Sequence, residues 1–154
     1  MHAPKHGEAK FSKEAILARL KKSGFRITVG RQKILGVLFS AQGPLTLTEI
    51  QEAAAQAKGH KPDYATVFRM VTLLERMKLV QKVNLQRSCS YFELHDPALH
   101  YDHIVCTQCG KVVLIDGTCP LHEVEESLEK KYGFRNLTHS LEFFGCCRQC
   151  TQQP

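Results

Sequence analysis

Asp63-Tyr-Ala-Thr-Val-Phe-Arg-Met-Val-Thr-Leu-Leu-Glu-Arg76 is the stretch that decides how this chain folds. Asp63, just after Pro62, is a cap that starts a helix. Val67, Met70, Val71 and Leu74 follow at i, i+3, i+4 and i+7, one apolar stripe for a core. Half a turn away lie Ala65, Arg69, Thr72 and Arg76, with Thr66 and Phe68 on the flanks and no acid expected on that face. Small residues, hydroxyls, an aromatic ring and arginines suit a helix lying in the DNA major groove. A solvated helix with two ordinary arginines would look the same, so its neighbours have to decide.

Upstream, helix signals recur. Ser12 caps a helix carrying Ile16, Leu17 and Leu20, stopped by Gly24. Thr28 caps a second with Ile34, Leu35 and Leu38, ended before Gly43-Pro44. Thr46-Leu-Thr-Glu49 is a capping box opening a third, with Ile50, Ala53, Ala54 and Ala57 inward and Gly59 beyond. Downstream the period changes. Leu79–Leu85 and Ser90–Leu94 are β-rich runs separated by Gln86-Arg87-Ser88. Three helices, a candidate recognition helix and a hairpin make a winged helix-turn-helix, with Lys82 and Arg87 on the hairpin placed to meet phosphate.

The second half carries different chemistry. Cys106-Thr-Gln-Cys109-Gly110 and Cys147-Arg-Gln-Cys150 are two couplets of one spacing. Four thiolates so arranged complete the closed tetrahedral shell of a structural zinc site, and Gly110 suits a tight knuckle turn. Buried free cysteines or two unrelated redox pairs are the plainer alternatives. β-like runs at His103–Cys106 and Lys111–Ile115, a helix over Leu121–Tyr132 with Leu121, Val124 and Leu128 on one face, and a strand over Ser140–Phe144 make the class α+β. His100, Asp102 and His103 precede the first couplet and His139 precedes the second. If zinc joins the couplets, the strands entering them become neighbours. His139 then approaches His100 and Asp102, and His122 completes a nitrogen/oxygen site suited to zinc, iron(II), manganese or nickel. Hydrogen-bonded polar residues at a domain edge are the competing account.

Charge separates the halves too. Residues 1–85 hold 15 Lys and Arg against 6 Asp and Glu, a net +9, whereas residues 86–154 hold 6 against 9, a net −3. All seven cysteines lie from Cys89 onward. A basic half suited to a polyanion is joined to an acidic half rich in Cys and His, which predicts two domains, 1–94 and 95–154. No apolar run has spanning length and no basic start leads into an apolar stretch, so no membrane partner and a reducing, cytoplasmic location are expected.

Together these stretches resemble the ferric-uptake-regulator (Fur) superfamily of bacterial metal- and peroxide-responsive repressors. The matching pieces are Gly24-Phe-Arg-Ile-Thr28 with Arg31, Ala65-Thr-Val-Phe-Arg69, His100-Tyr-Asp-His-Ile-Val-Cys-Thr-Gln-Cys-Gly110, Tyr132-Gly-Phe134, and His139-Ser-Leu-Glu-Phe-Phe-Gly145 with Cys147 and Cys150. The resemblance implies an N-terminal winged helix and a C-terminal α+β dimerisation domain. It also implies a homodimer whose affinity for double-stranded operator DNA rises when a regulatory metal (zinc, iron(II) or manganese) binds. Cys106, Cys109, Cys147 and Cys150 match the family's structural zinc ligands. His100, Asp102, His122 and His139 match a site at the edge of the dimerisation domain, His122 standing where many members have glutamate. Arg69 and Phe68 match the base-reading pair, with phenylalanine in place of the usual tyrosine. Arg26 and Arg31 match positions that meet the minor groove and the backbone.

The sensing site between the domains departs from the family's pattern. Leu45 and Tyr101 stand roughly where histidines are usual, leaving Glu93 and His103, with His95 and Cys89 near enough in sequence to substitute. A Cys89 thiolate would favour zinc, whereas Glu93, His95 and His103 alone would suit iron or manganese. Cys119 and Cys146 are spare thiols, expected to be structural. Two other classes compete with a non-enzymatic regulator. One is a zinc-stabilised thiol oxidoreductase or hydrolase, against which this chain is expected to lack a C-x-x-C at a strand-to-helix start, an H-E-x-x-H and an H-x-E before a P-C-x-x-C. The other is a zinc-containing RNA-binding or scaffold module.

Overall fold

Every helix of the first half begins at a side chain that accepts an otherwise free backbone N–H. The computed structural model describes residues 11–56, 61–85, 88–96, 102–115, 121–137 and 139–152, and the chain divides into two compact units, 1–99 and 100–154. Helix α1 is Lys13–Lys22, α2 Val29–Ser40, α3 Leu47–Gln56 and α4 Tyr64–Arg76. Ser12 accepts from Ala15 N–H at 3.1 Å and Thr28 from Arg31 N–H at 3.3 Å. Thr46 and Glu49 close the capping box in both directions, at 2.7 and 3.2 Å. Asp63 accepts from Thr66 N–H at 2.6 Å. The expected inward positions Ala57 and Gly59 lie outside the described residues.

The apolar stripe of α4 is buried as its spacing requires: Val67, Met70, Val71 and Leu74 are each at most 1% exposed. They share one core with Ile16, Leu20, Ile34, Leu35 and Ile50. Burying each such side chain contributes roughly 1.5–3 kcal/mol, so a charge at Leu74 would undo the unit. The end of α4 is tight. Leu79 N–H reaches back to Leu74 C=O at 2.9 Å, and Lys78 takes φ 56°, a left-handed conformation that glycine usually occupies.

Strands β1 (Val80–Val83) and β2 (Tyr91–Leu94) form the antiparallel wing, Val80 opposite Leu94 and Val83 opposite Tyr91. Leu45 joins it through a bridge to Phe92, each N–H donating to the other's carbonyl at 2.8 Å. That link pins the start of α3 to the wing. Arg87 lies outside the described residues.

In the second unit β3 (Asp102–Cys106) is central, antiparallel to β4 (Val112–Ile115) and parallel to β5 (Glu142–Gly145). Helix α5 is His122–Tyr132 and the short α6 is Arg148–Thr151. No residue of α5 is buried; Val124 and Leu128 are 47% and 40% exposed. On the sheet, Val113, Ile104 and Phe143 face one another across three strands and are all exposed. Among the described residues, no helix is long and apolar enough to cross a membrane.

Candidate metal centre and nucleic-acid face

Parallel pairing of β3 with β5 sets Cys106 opposite Gly145 and so carries both cysteine couplets to one end of the sheet. After Cys106 the chain turns sharply: Gly110 N–H donates to Cys106 C=O at 2.9 Å, and Gly110 takes φ 75°, which a Cβ would strain. Thr107 N–H donates to Gly145 C=O at 2.8 Å and ties the two knuckles together. Cys106 and Cys150 Sγ are 4.0 Å apart, Cys109 and Cys147 Sγ 3.8 Å, and ligand atoms of all four lie within 4.8 Å of one another. A tetrahedral zinc with bonds of about 2.3 Å spaces its sulfurs about 3.8 Å apart. The donor set fits a structural zinc ion.

The protons on these thiols are unequally held. Backbone N–H groups of Cys109 and then Cys147 lower the Cys106 thiol from 9.0 to about 5. The backbone N–H of Cys150 leads in lowering Cys147. Cys150, beside the sulfurs of Cys147 and Cys109, is pushed up to about 12 and gives up its proton last. One expectation is corrected here. The second couplet does stand between a strand and a helix start, with Cys147 just before α6. Yet its thiols face the first couplet, so it is half of a four-thiol shell rather than a separate redox pair. Of the spare thiols, Cys146 is exposed and Cys119 lies outside the described residues.

At the edge of the sheet, His139 and Asp102 come together as expected, with Nε2 3.9 Å from Oδ1. The helix contributes a different residue. Glu125 Oε1 lies 2.8 Å from His139 Nδ1, whereas His122 is 71% exposed and pairs with Glu126 at 3.5 Å. His122 starts α5 one turn earlier and is not brought to His139 in this structure. Glu125 was absent from the expected set; its place one turn beyond His122 on α5 was the available signal. His100 lies outside the described residues.

Of the four residues expected at the hinge, Cys89, Glu93 and His95 belong to the first unit and His103 to the second. Cys89 is exposed before β2 begins, near the tip of the wing, and His95 follows the strand at its base. Strand β2 alone spans about 10 Å at ~3.3 Å per residue, so Cys89 does not share one ion with His95. Glu93 and His95 fall on one side of the strand by alternation. Glu93 accepts from Gln81 Nε2 at 2.6 Å, and His95 N–H extends the ladder to Leu79 C=O at 2.9 Å. His103, in the second unit, is 2% exposed on β3. Leu45 is committed to its bridge with Phe92.

On α4, Ala65, Phe68, Arg69 and Arg76 are exposed and Thr66 and Thr72 half-buried, which is the face the sequence predicts. Its acid-free character is corrected at one end: Glu75, exposed in the last turn, follows Phe68 and Thr72 at helical spacing. Arg31 donates to Arg26 C=O at 2.6 Å and lies over the Phe25 ring at 5.9 Å. That pair stiffens the turn from which the exposed Arg26 projects, while Lys82 is exposed on β1.

The profile described as "Ferric uptake regulator family" matches residues 22–144. The Ferric uptake regulation protein of Legionella pneumophila is 31% identical over 133 residues, covering 86% of this chain and 96% of that protein. The Peroxide-responsive repressor PerR of Staphylococcus epidermidis is 32% identical over 141 residues and 91% of each. Among solved structures, the ferric uptake regulator from Pseudomonas aeruginosa with manganese superposes with a TM-score of 0.66 at 28% identity, covering 86% of this chain and 97% of that one.

Proposed function

This chain belongs to the ferric uptake regulator family, and we propose that it is a cytoplasmic repressor that binds operator DNA as a homodimer when a regulatory divalent metal is bound. It is a regulator and not an enzyme. The observation that carries the reading is α4: its inner stripe is buried while Phe68 and Arg69 stand outward beside Ala65 and Arg76. An arginine there can pair with a guanine edge in the major groove, and Phe68 can meet a thymine methyl. Arg26, Arg31 and Lys82 add phosphate and groove contacts that set register. Thr66, Thr72 and Arg76 lie on the same helix as Arg69.

The winged helix, residues 1–94, is the part that reads DNA. Residues 95–154 form the metal-binding dimerisation domain. The exposed row Val113, Ile104 and Phe143, with Val124 and Leu128 on α5, supports a second copy as its partner, since such apolar surface is costly to leave in water. Cys106, Cys109, Cys147 and Cys150 hold structural zinc, which supplies a crosslink between two chain segments. His139 and Asp102, with His100, form the edge metal site.

Glu93 and His95 belong to the unit 1–99 and His103 to the unit 100–154. Ligation from both sides would fix the separation of two recognition helices, which paired half-sites on a duplex demand. With Cys89 at the far end of β2 from His95, nitrogen and oxygen donors remain, which suits iron(II) or manganese and also accepts zinc.

The test is a duplex-DNA mobility shift with purified protein of known metal content, before and after chelation. Specific binding should fall on chelation and return when iron(II), manganese or zinc is restored, the most effective ion identifying the signal. Equal binding with and without metal, or preference for single-stranded RNA, would defeat the reading.

A further inference from the structure

We propose that Glu125 is a positioning residue for His139, holding the imidazole by Nδ1 so that Nε2 faces Asp102 as the metal-ligating nitrogen. The inference rests on the edge site being a metal site.

Three features of the fold build this arrangement. The pairing of β5 with β3, continued by His103 N–H donating to Leu141 C=O at 3.1 Å, brings the segment holding His139 alongside Asp102. Glu129, one turn beyond Glu125 on α5, accepts from Leu137 N–H at 2.8 Å and pins the returning chain to the same face of the helix. Glu125 then meets Nδ1 at 2.8 Å, with both side chains under 20% exposed (16% and 18%).

An ionised carboxylate only accepts hydrogen bonds, so the Nδ1 atom carries the proton in this contact. In a neutral ring the lone pair is then on Nε2, the atom that looks toward Asp102. The 3.9 Å between Nε2 and Oδ1 is too long for a hydrogen bond. It is within the span of two ligands on one ion with bonds of about 2.0–2.2 Å each. A carboxylate behind a ligating histidine fixes its tautomer and raises its basicity.

The test uses full-length protein already holding one zinc per chain, titrated with further zinc(II) against a competing chelator. His139→Ala should abolish uptake at the edge site. Glu125→Ala should weaken it about 10- to 100-fold, and Glu125→Gln should recover most of the loss because its amide oxygen still accepts the Nδ1 proton. Nitrogen-15 histidine spectra taken without added metal should show His139 protonated at Nδ1 in the wild type and in Glu125→Gln, but mixed in Glu125→Ala. Circular dichroism and retained structural zinc control for folding. A Glu125→Gln loss as large as that of Glu125→Ala would make Glu125 a direct ligand and overturn the proposal. So would unchanged affinity and tautomer in Glu125→Ala. Edge-site uptake that survives His139→Ala would instead defeat the metal-site reading, and the metal-free spectra separate that result from a failure of Glu125 to hold the ring.

Discussion

Arg69 stands in solvent next to Met70, which is 1% exposed, so adjacent residues of one helix serve recognition and core. Arg69→Ala should therefore leave stability almost unchanged and weaken specific DNA binding by about 1–3 kcal/mol, the size of one base-edge pair. Lys82→Ala should weaken all sequences alike and reduce the salt slope by about one. Competition binding at several salt concentrations separates them; equal loss on specific and random DNA for Arg69→Ala would reduce Arg69 to a phosphate contact. The cysteines allow a sharper test. Cys106→Ser or Cys150→Ser opens the four-thiol shell and should cost the zinc together with folding or dimerisation, read by elemental analysis and sedimentation. A thiol at about 5 is ionised at neutral pH and one at about 12 is not, so zinc uptake there should release at least the Cys150 proton. Zinc affinity should fall with acid, most steeply below about 5, where Cys106 also takes up a proton. Zinc uptake without proton release, measured with an indicator in weak buffer, would contradict this picture.

At the scale of an element, α4 begins well and ends under strain. Asp63 caps its start, but Lys78 holds φ 56° after its end. A left-handed conformation costs a residue with a side chain roughly 1–2 kcal/mol, and glycine's greater freedom when unfolded returns part of that. Lys78→Gly should raise the unfolding midpoint by an amount equivalent to up to about 1 kcal/mol, measured by thermal denaturation; a clear drop would place the lysine side chain in a contact worth more than the strain. Helix α5 is the opposite case: Gly133 closes its end and its charges suit a helix, but no side chain caps its start and none of its side chains is buried. If its apolar row and that of the sheet meet a second copy, Leu128→Lys or Ile104→Lys should leave the four-thiol zinc in place and shift the protein to monomer in sedimentation. An unchanged dimer would move the interface elsewhere.

For the whole molecule the question is how metal reaches DNA affinity. His103→Ala or Glu93→Ala should abolish metal-induced DNA binding while fold and structural zinc persist, because a joint left free has to lose its orientational entropy at the moment of binding. His139→Ala should have a smaller effect if the edge site stiffens the dimerisation domain. Mobility shifts on the variants decide; binding that survives without His103 and fails without His139 would make the edge site the sensor. Local periodicity and capping chemistry were enough to place α1 to α4, the wing and the two knuckles, because each depends on neighbours within a turn or a hairpin: Asp63 with Thr66, Thr46 with Glu49, Gly110 after Cys109. Tertiary structure alone decided that Glu125 rather than His122 meets His139, that Leu45 bridges Phe92, and that Cys89 and His95 lie at opposite ends of β2. Those outcomes depend on strand register and helix phase between segments far apart in the chain. A histidine and a glutamate on one helix look equally able to bind metal until the packing of β5 beside β3 selects which turn of α5 they face.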